Sequence, residues 1–192
     1  MKSKLPKVGT TIFTKMSALA HQHNAINLSQ GFPNFSPDKK LISLATKALE
    51  DDFNQYAPLA GKFSLRKILT DKVYQLYNRR INPEKEITMT AGATQAVFTA
   101  VAAMIHPGDE VIMCKPAYDC YEPAIDLNGG ITKVFQMKPP HYSIDWNAVE
   151  NLITDKTKLI LLNSPHNPTG KVLHQADIDA LTQLIEKYPQ LY

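Results

Sequence analysis

The sequence predicts an α/β fold: three layers, αβα, around a mainly parallel sheet. Three observations carry this. Apolar runs alternate with amphipathic stretches along the 192 residues. Two of those runs, 109–114 (DEVIMC, with Val111, Ile112 and Met113 consecutive) and 158–162 (KLILL), are continuous rather than alternating. Such runs belong to strands buried on both faces of a parallel sheet. The stretches between strands are long enough for right-handed crossovers.

The elements follow in chain order. Residues 1–9 read as a flexible arm whose lysines, Lys2, Lys4 and Lys7, are solvated. Helical spacing of Ile12, Met16, Leu19 and Ala20 predicts a helix over 12–23. His21 and His23 are two apart and point different ways on it, which argues against a metal site. In 26–37 (INLSQGFPNFSP), Gly31, Phe32 and Pro33 mark a backbone turn with an exposed N–H. A helix over 37–51 has Ser36 available as cap and Pro37 in its first turn. Its apolar face is Leu41, Leu44, Ala45, Ala48 and Leu49. Tyr56 stands in the loop 54–61. A second amphipathic helix covers 62–77, with Phe63 or Leu65, Ile68, Leu69, Val73 and Leu76 inward.

A short strand is expected at 86–90 and a helix at 93–105, with inward Ala96, Val97, Ala100, Val101, Met104 and Ile105. His106, Pro107 and Gly108 stop that helix before the 109–114 strand. A short helix, 119–128, ends at Gly129-Gly130. A strand over 131–137, a loop opened by Pro139-Pro140 and a helix over 146–153 capped by Asp145 come next. The 158–162 strand leads through the polar string 163–171 into a last helix, 174–188, with Ile178, Leu181, Leu184 and Ile185 inward. There are no repeats, low-complexity segments or long linkers.

Three stretches carry chemistry. Gly92 stands where the 86–90 strand turns into a helix. A helix starting at Ala93 aims the N–H groups of Ala93, Thr94 and Gln95 outward, with the positive dipole end behind them. That is a cup for phosphate or carboxylate, and the Thr94 hydroxyl adds a donor. The stretch is neither a G-x-G-x-x-G nor a G-K-[ST] motif. The second stretch, 115–123 (KPAYDCYEP), sets the ring of Tyr118 just past a strand end. The third, NSPHNPTGK (163–171), lies at the carboxyl end of a strand, where open α/β sheets place ligands. His166 and Asn167 there can hydrogen-bond a ligand. Pro168 follows Asn167, and X-Pro bonds adopt cis at little cost. By composition alone the string is a polar turn.

Taken whole, NSPHNPTGK resembles the N-x-P-H-N-P-T-G signature of class I and II aminotransferases, the fold-type I enzymes that use pyridoxal 5'-phosphate (PLP). The run AYDCYEPAI is most similar to the methionine and kynurenine aminotransferase subgroup, which more often has Phe where Tyr118 stands. The resemblance implies a role for each matched residue. Ala93 and Thr94 hold the cofactor phosphate, Tyr118 stacks on the pyridine ring, and Asn167 hydrogen-bonds its phenolic oxygen. Tyr56 crosses a homodimer interface to the phosphate bound by the partner subunit. Gly31 touches the substrate carboxylate through its backbone, and Asn167 also faces the substrate. The substrates implied are an amino acid of methionine, kynurenine or aromatic type and a 2-oxo acid.

The resemblance covers nearly all of this chain but only the first half of the enzyme. It implies an arm and small-domain segment over 1–36 and an incomplete, truncated PLP-binding large domain over 37–192. The family's pyridine-pairing Asp, Schiff-base lysine and carboxylate-gripping Arg lie beyond the matched stretches. Lys115, Lys133, Lys158 and Lys171 are not in the family's Ser-x-x-Lys setting, so no catalytic residue is assigned. The chain alone is expected to be inactive.

Two other classes are set beside this one. A nucleotide or phosphometabolite binder could use the same βα turn, but it would need neither Tyr118 nor Asn167. Three family stretches in the right order set it aside. A non-catalytic fragment is favoured by the missing lysine. A net charge of +3, dispersed along the chain, argues against nucleic acid. No apolar run reaches the length of a membrane span, and no signal peptide is read. Cys114 and Cys120 fit no metal or redox spacing and are expected to be reduced thiols of a cytoplasmic protein.

Overall fold

The structure, a computed structural model, describes residues 2–6, 8–31 and 33–192. Met1, Lys7 and Phe32 lie outside the described residues, and with them one arm lysine and the centre of the turn read at 31–33. The chain forms two compact units, Thr10–Ala91 and Gly92–Tyr192 with Met1–Gly9.

The Thr10–Ala91 unit holds three helices: α1 (Ile12–Gln22), α2 (Lys39–Glu50) and α3 (Phe63–Tyr77). Helix α2 starts later than expected. Its cap is Asp38, not Ser36: the Asp38 carboxylate accepts from the Lys40 N–H at 2.8 Å. A carboxylate at the positive end of a helix gains from the dipole as well as the hydrogen bond. The amphipathic faces are present but not buried, with Leu41, Leu44 and Leu49 of α2 and Leu65, Ile68 and Leu76 of α3 all exposed. The buried side chains described in this unit are instead Arg66 and Thr70. Arg66 tolerates burial because its guanidinium finds two carbonyls, donating to Gly61 at 3.1 Å and Pro83 at 2.5 Å.

The strand expected at 86–90 does not form. The segment lies beside a turn, with the Met89 N–H donating to the Ala60 carbonyl at 3.0 Å and the Gly61 N–H closing back on Pro58. A turn offers no extended run to pair with.

The second unit is the three-layer sandwich. In order come α4 (Ala93–Met104), β1 (Glu110–Lys115), α5 (Tyr121–Leu127), β2 (Ile131–Gln136), α6 (Trp146–Glu150), β3 (Thr157–Leu161) and α7 (Gln175–Lys187). The sheet order is β2-β1-β3, all parallel, with Val111 level with Thr132 on one side and Leu159 on the other. Strand β1 is central and its apolar run is buried on both faces, as the sequence requires. Val111 and Met113 pack with Val101 and Ile105 at α4 and with Ala124 and Ile125 of α5. Ile112 points the other way, onto Val149 of α6 and Leu184 of α7.

Other boundaries shift by a residue or two. Helix α6 stops at Glu150 rather than 153, because the Leu152 and Ile153 N–H groups turn to carbonyls three residues back. Asp145 caps it as expected, accepting from Asn147 and Ala148. Along the outer side of β3, Tyr192 donates to the Lys158 carbonyl and accepts from the Ile160 N–H, in the pattern of a parallel neighbour.

At the amino end of the sheet, Glu110 ties the three strands together. It accepts from Thr154 at 2.7 Å, Thr157 at 3.2 Å and Lys133 at 3.1 Å. Burial pushes its carboxyl up, but these hydrogen bonds and the lysine charge outweigh burial and hold it below the ordinary carboxylate range.

Candidate functional site

The chemistry-bearing stretches meet at the opposite, carboxyl end of this sheet. Helix α4 is joined to the start of β1 by the short turn 105–109 and packs on it through Val101 and Ile105. It therefore runs back along β1, and its N-terminus lies at the carboxyl end. Gly92 caps that N-terminus at φ 89° and ψ 167°, without a side-chain cap. A Cβ there would meet no atom within 4 Å. The glycine is demanded by the backbone. Thr94 is exposed and lies near Cys120, in the turn after β1. Burial raises the Cys120 thiol above its ordinary value; Thr94 opposes the rise and Asp119 adds to it.

Tyr118 lies in the same turn, half-buried, with its ring edge-on to Tyr121 at 6.1 Å between centroids. Tyr121 in turn reaches under the 163–171 loop. With Asn163 and His166 it lines a small cavity of about 10 Å³, room for at most one water.

The loop folds on itself. The His166 N–H donates to the Lys171 carbonyl, and the His166 carbonyl accepts from the Gly170 N–H, both at 2.7 Å. Both Ser164–Pro165 and Asn167–Pro168 are cis. Asn167 is exposed at the crest. Burial lowers the His166 imidazole below its ordinary value.

Thr94, Tyr118 and Asn167, with Ala93, are thus gathered at one sheet end through contacts of Cys120, Tyr121 and Asn163. Sequence reasoning missed those three as neighbours of the site. Gly31 and Tyr56 belong to the Thr10–Ala91 unit, where both are exposed. Of the lysines, Lys115 is paired with Glu122 at 2.6 Å and Lys133 with Glu110. The described residues contain no cluster of three metal-ligating side chains and no helix long and apolar enough to cross a membrane. A larger cleft of about 630 Å³ lies between α3 and 80–86, in the Thr10–Ala91 unit, and contains none of the candidate residues.

The donor set suits PLP. A glycine-opened helix start could take a phosphate, an aromatic side chain could cover a pyridine ring, and an exposed amide could meet a phenolic oxygen.

Comparison with known proteins agrees. The profile of aminotransferase class I and II matches residues 23–192. Methionine aminotransferase of Escherichia coli K12 is 48% identical over 184 residues, covering 96% of this chain and 48% of that protein. Kynurenine–oxoglutarate transaminase of Dictyostelium discoideum is 34% identical over 196 residues, covering 94% of this chain and 45% of its own length. The crystal structure of YbdL from Escherichia coli, identified with a methionine aminotransferase function, superposes with a TM-score of 0.96 at 46% identity, over 100% of this chain and 50% of that one. The chain spans about half the length of the curated relatives it matches. Its parallel sheet and flanking helices are those of the fold-type I aminotransferases, which depend on PLP. On profile, sequence and fold together, this chain belongs to the class I and II aminotransferases.

Proposed function

We propose that this chain supplies the cofactor-holding part of an aminotransferase that moves an amino group from an amino acid of methionine, kynurenine or aromatic type to a 2-oxo acid. One observation carries the reading: the α4 start, Tyr118 and the 163–171 loop converge on the carboxyl end of one parallel sheet. The methionine and kynurenine relatives support the substrate class.

When bound, PLP supplies the electron sink for chemistry at the amino acid's α-carbon. The chain's own residues bind and orient. Ala93 and Thr94 hold the phosphate with backbone N–H groups and a hydroxyl at the positive helix end. Tyr118, braced by Tyr121, covers one ring face. Asn167 hydrogen-bonds the phenolic oxygen and borders the substrate. Gly31 offers its backbone to the substrate carboxylate. In a homodimer, Tyr56 reaches the phosphate bound by the partner subunit. The organisation is an arm and small-domain segment, 1–36, and a PLP-binding domain, 37–192, working in the cytoplasm.

Residues 1–192 by themselves bind without turning over. A base must stand within hydrogen-bond reach of the proton it takes. Lys115 and Lys133 are engaged by carboxylates. The test is equilibrium dialysis of the chain against PLP and against pyridoxal, beside an assay of amino-group transfer from methionine and kynurenine. PLP is expected to bind more tightly than pyridoxal, Thr94→Ala to weaken it by about 1–3 kcal/mol, and no transfer to occur. Equal binding of pyridoxal would remove the phosphate cup, and turnover would show that a lysine among these residues acts as base.

A further inference from the structure

Asn167 is exposed, yet its backbone is held from two directions. Its N–H donates to the Asn163 side-chain oxygen at 2.6 Å. Asn163 directly follows Leu162 at the end of β3, so this bond moors the loop crest to the sheet. On the other side, His166 Nδ1 shares a hydrogen bond of 2.9 Å with the Thr169 hydroxyl. That hydroxyl also accepts from the Lys171 N–H at 3.2 Å. The His166 ring therefore braces the Asn167-Pro168-Thr169 turn from inside. Both Asn163 and His166 also line the small cavity beneath the loop.

We propose that Asn163 and His166 are positioning residues that fix the direction of the Asn167 side chain, one by mooring its N–H and the other by bracing the turn that follows it. The proposal rests on the reading of Asn167 as a cofactor contact. An amide that must meet one ligand atom loses affinity when its backbone can rotate, because the freedom lost on binding rises. Asn163 and His166 need not touch the ligand to matter.

The test compares Asn163→Ala, His166→Leu, His166→Asn and Asn167→Ala in the full chain. Three quantities are read: PLP affinity by equilibrium dialysis, exchange of the Asn167 amide hydrogen by NMR, and melting temperature. Asn163→Ala and His166→Leu are expected to speed Asn167 exchange and to weaken PLP, each by about tenfold. His166→Asn returns a polar atom near the Nδ1 position and should restore both, which a merely structural role would not require. If both variants bind PLP within about twofold of the parent while Asn167→Ala loses affinity, the positioning roles are wrong and the reading of Asn167 stands. If Asn167→Ala also keeps its affinity, the reading of Asn167 falls and the proposal with it. Should Asn163→Ala fail to fold, the parent protein decides that role: an Asn167 amide exchanging at the rate of an open loop would overturn the mooring.

Discussion

Replacing Gly92 with alanine separates the phosphate cup from the helix behind it. At φ 89° and ψ 167° the residue sits where a side chain is strained. An added Cβ would touch nothing within 4 Å, so the cost is in the backbone alone, about 1–3 kcal/mol. Gly108, beyond the other end of α4, offers a matched control. Its φ is 91°, and its added Cβ would also meet nothing. For a chain of this size a kcal/mol lowers the melting temperature by about 2–4 °C. Both substitutions should therefore lower it by roughly 2–12 °C. They should part in ligand binding. Relief of strain at residue 92 turns the N–H groups of Ala93 and Thr94 off line, which should cost PLP about tenfold in affinity, the scale of one hydrogen bond to a charged group. Gly108→Ala should leave affinity unchanged. Circular dichroism melts and equilibrium dialysis read the two effects. Equal losses of affinity in the two variants, or none in Gly92→Ala, would refute the role given to the α4 start.

Three further predictions concern the scaffold and its thiols. Glu110 is held below its ordinary value of 4.5, so the stability it contributes is in place above that pH and is lost as pH falls through the folded value. Urea titrations across pH should show Glu110→Gln less stable than the parent near neutrality, with a shallower loss toward acid. Ile112 is fully buried between the sheet and α6 and α7, and Ile112→Ala should cost about 2–5 kcal/mol in the same titrations. Burial pushes the Cys114 thiol up to about 11, whereas Cys120 is more open and lies near Thr94. Iodoacetamide followed by mass spectrometry should label Cys120 first, and PLP should slow that labelling while leaving Cys114 unlabelled.

The central sheet was legible because Val111, Ile112 and Met113 leave no polar face for solvent, which only a strand covered on both sides can use. The Asp145 cap was legible for a similarly local reason: an acidic side chain immediately before an apolar periodic run. Local signals failed where two residues compete for one role. Ser36 and Asp38 both suit a helix start, and the charge of Asp38 wins. The 86–90 segment has the composition of a strand, but strands are defined by partners, and here its neighbour is a turn. The apolar residues of α2 and α3 expected to turn inward are not buried. What covers such a face is not a property of the helix itself, and Leu41, Leu44 and Ile68 stand exposed. At the candidate site, the glycine-to-helix turn, Tyr118 and the 163–171 string could be picked out singly. The contacts that join them, Thr94 with Cys120 and Tyr121 with Tyr118, depend on how α4 and the turn after β1 meet in space. No spacing in the sequence encodes that. The Asn163 to Asn167 bond is local, but an Asn side chain has several backbone partners within reach, and only the fold of the loop selects one.

The most direct measurement is a crystal structure of the chain grown with PLP. The phosphate should lie within hydrogen-bond distance of the Ala93 and Thr94 N–H groups, the ring against Tyr118 and the phenolic oxygen at the Asn167 side chain. PLP bound with its phosphate away from the α4 start, or at the cleft between α3 and 80–86, would contradict the site assigned here.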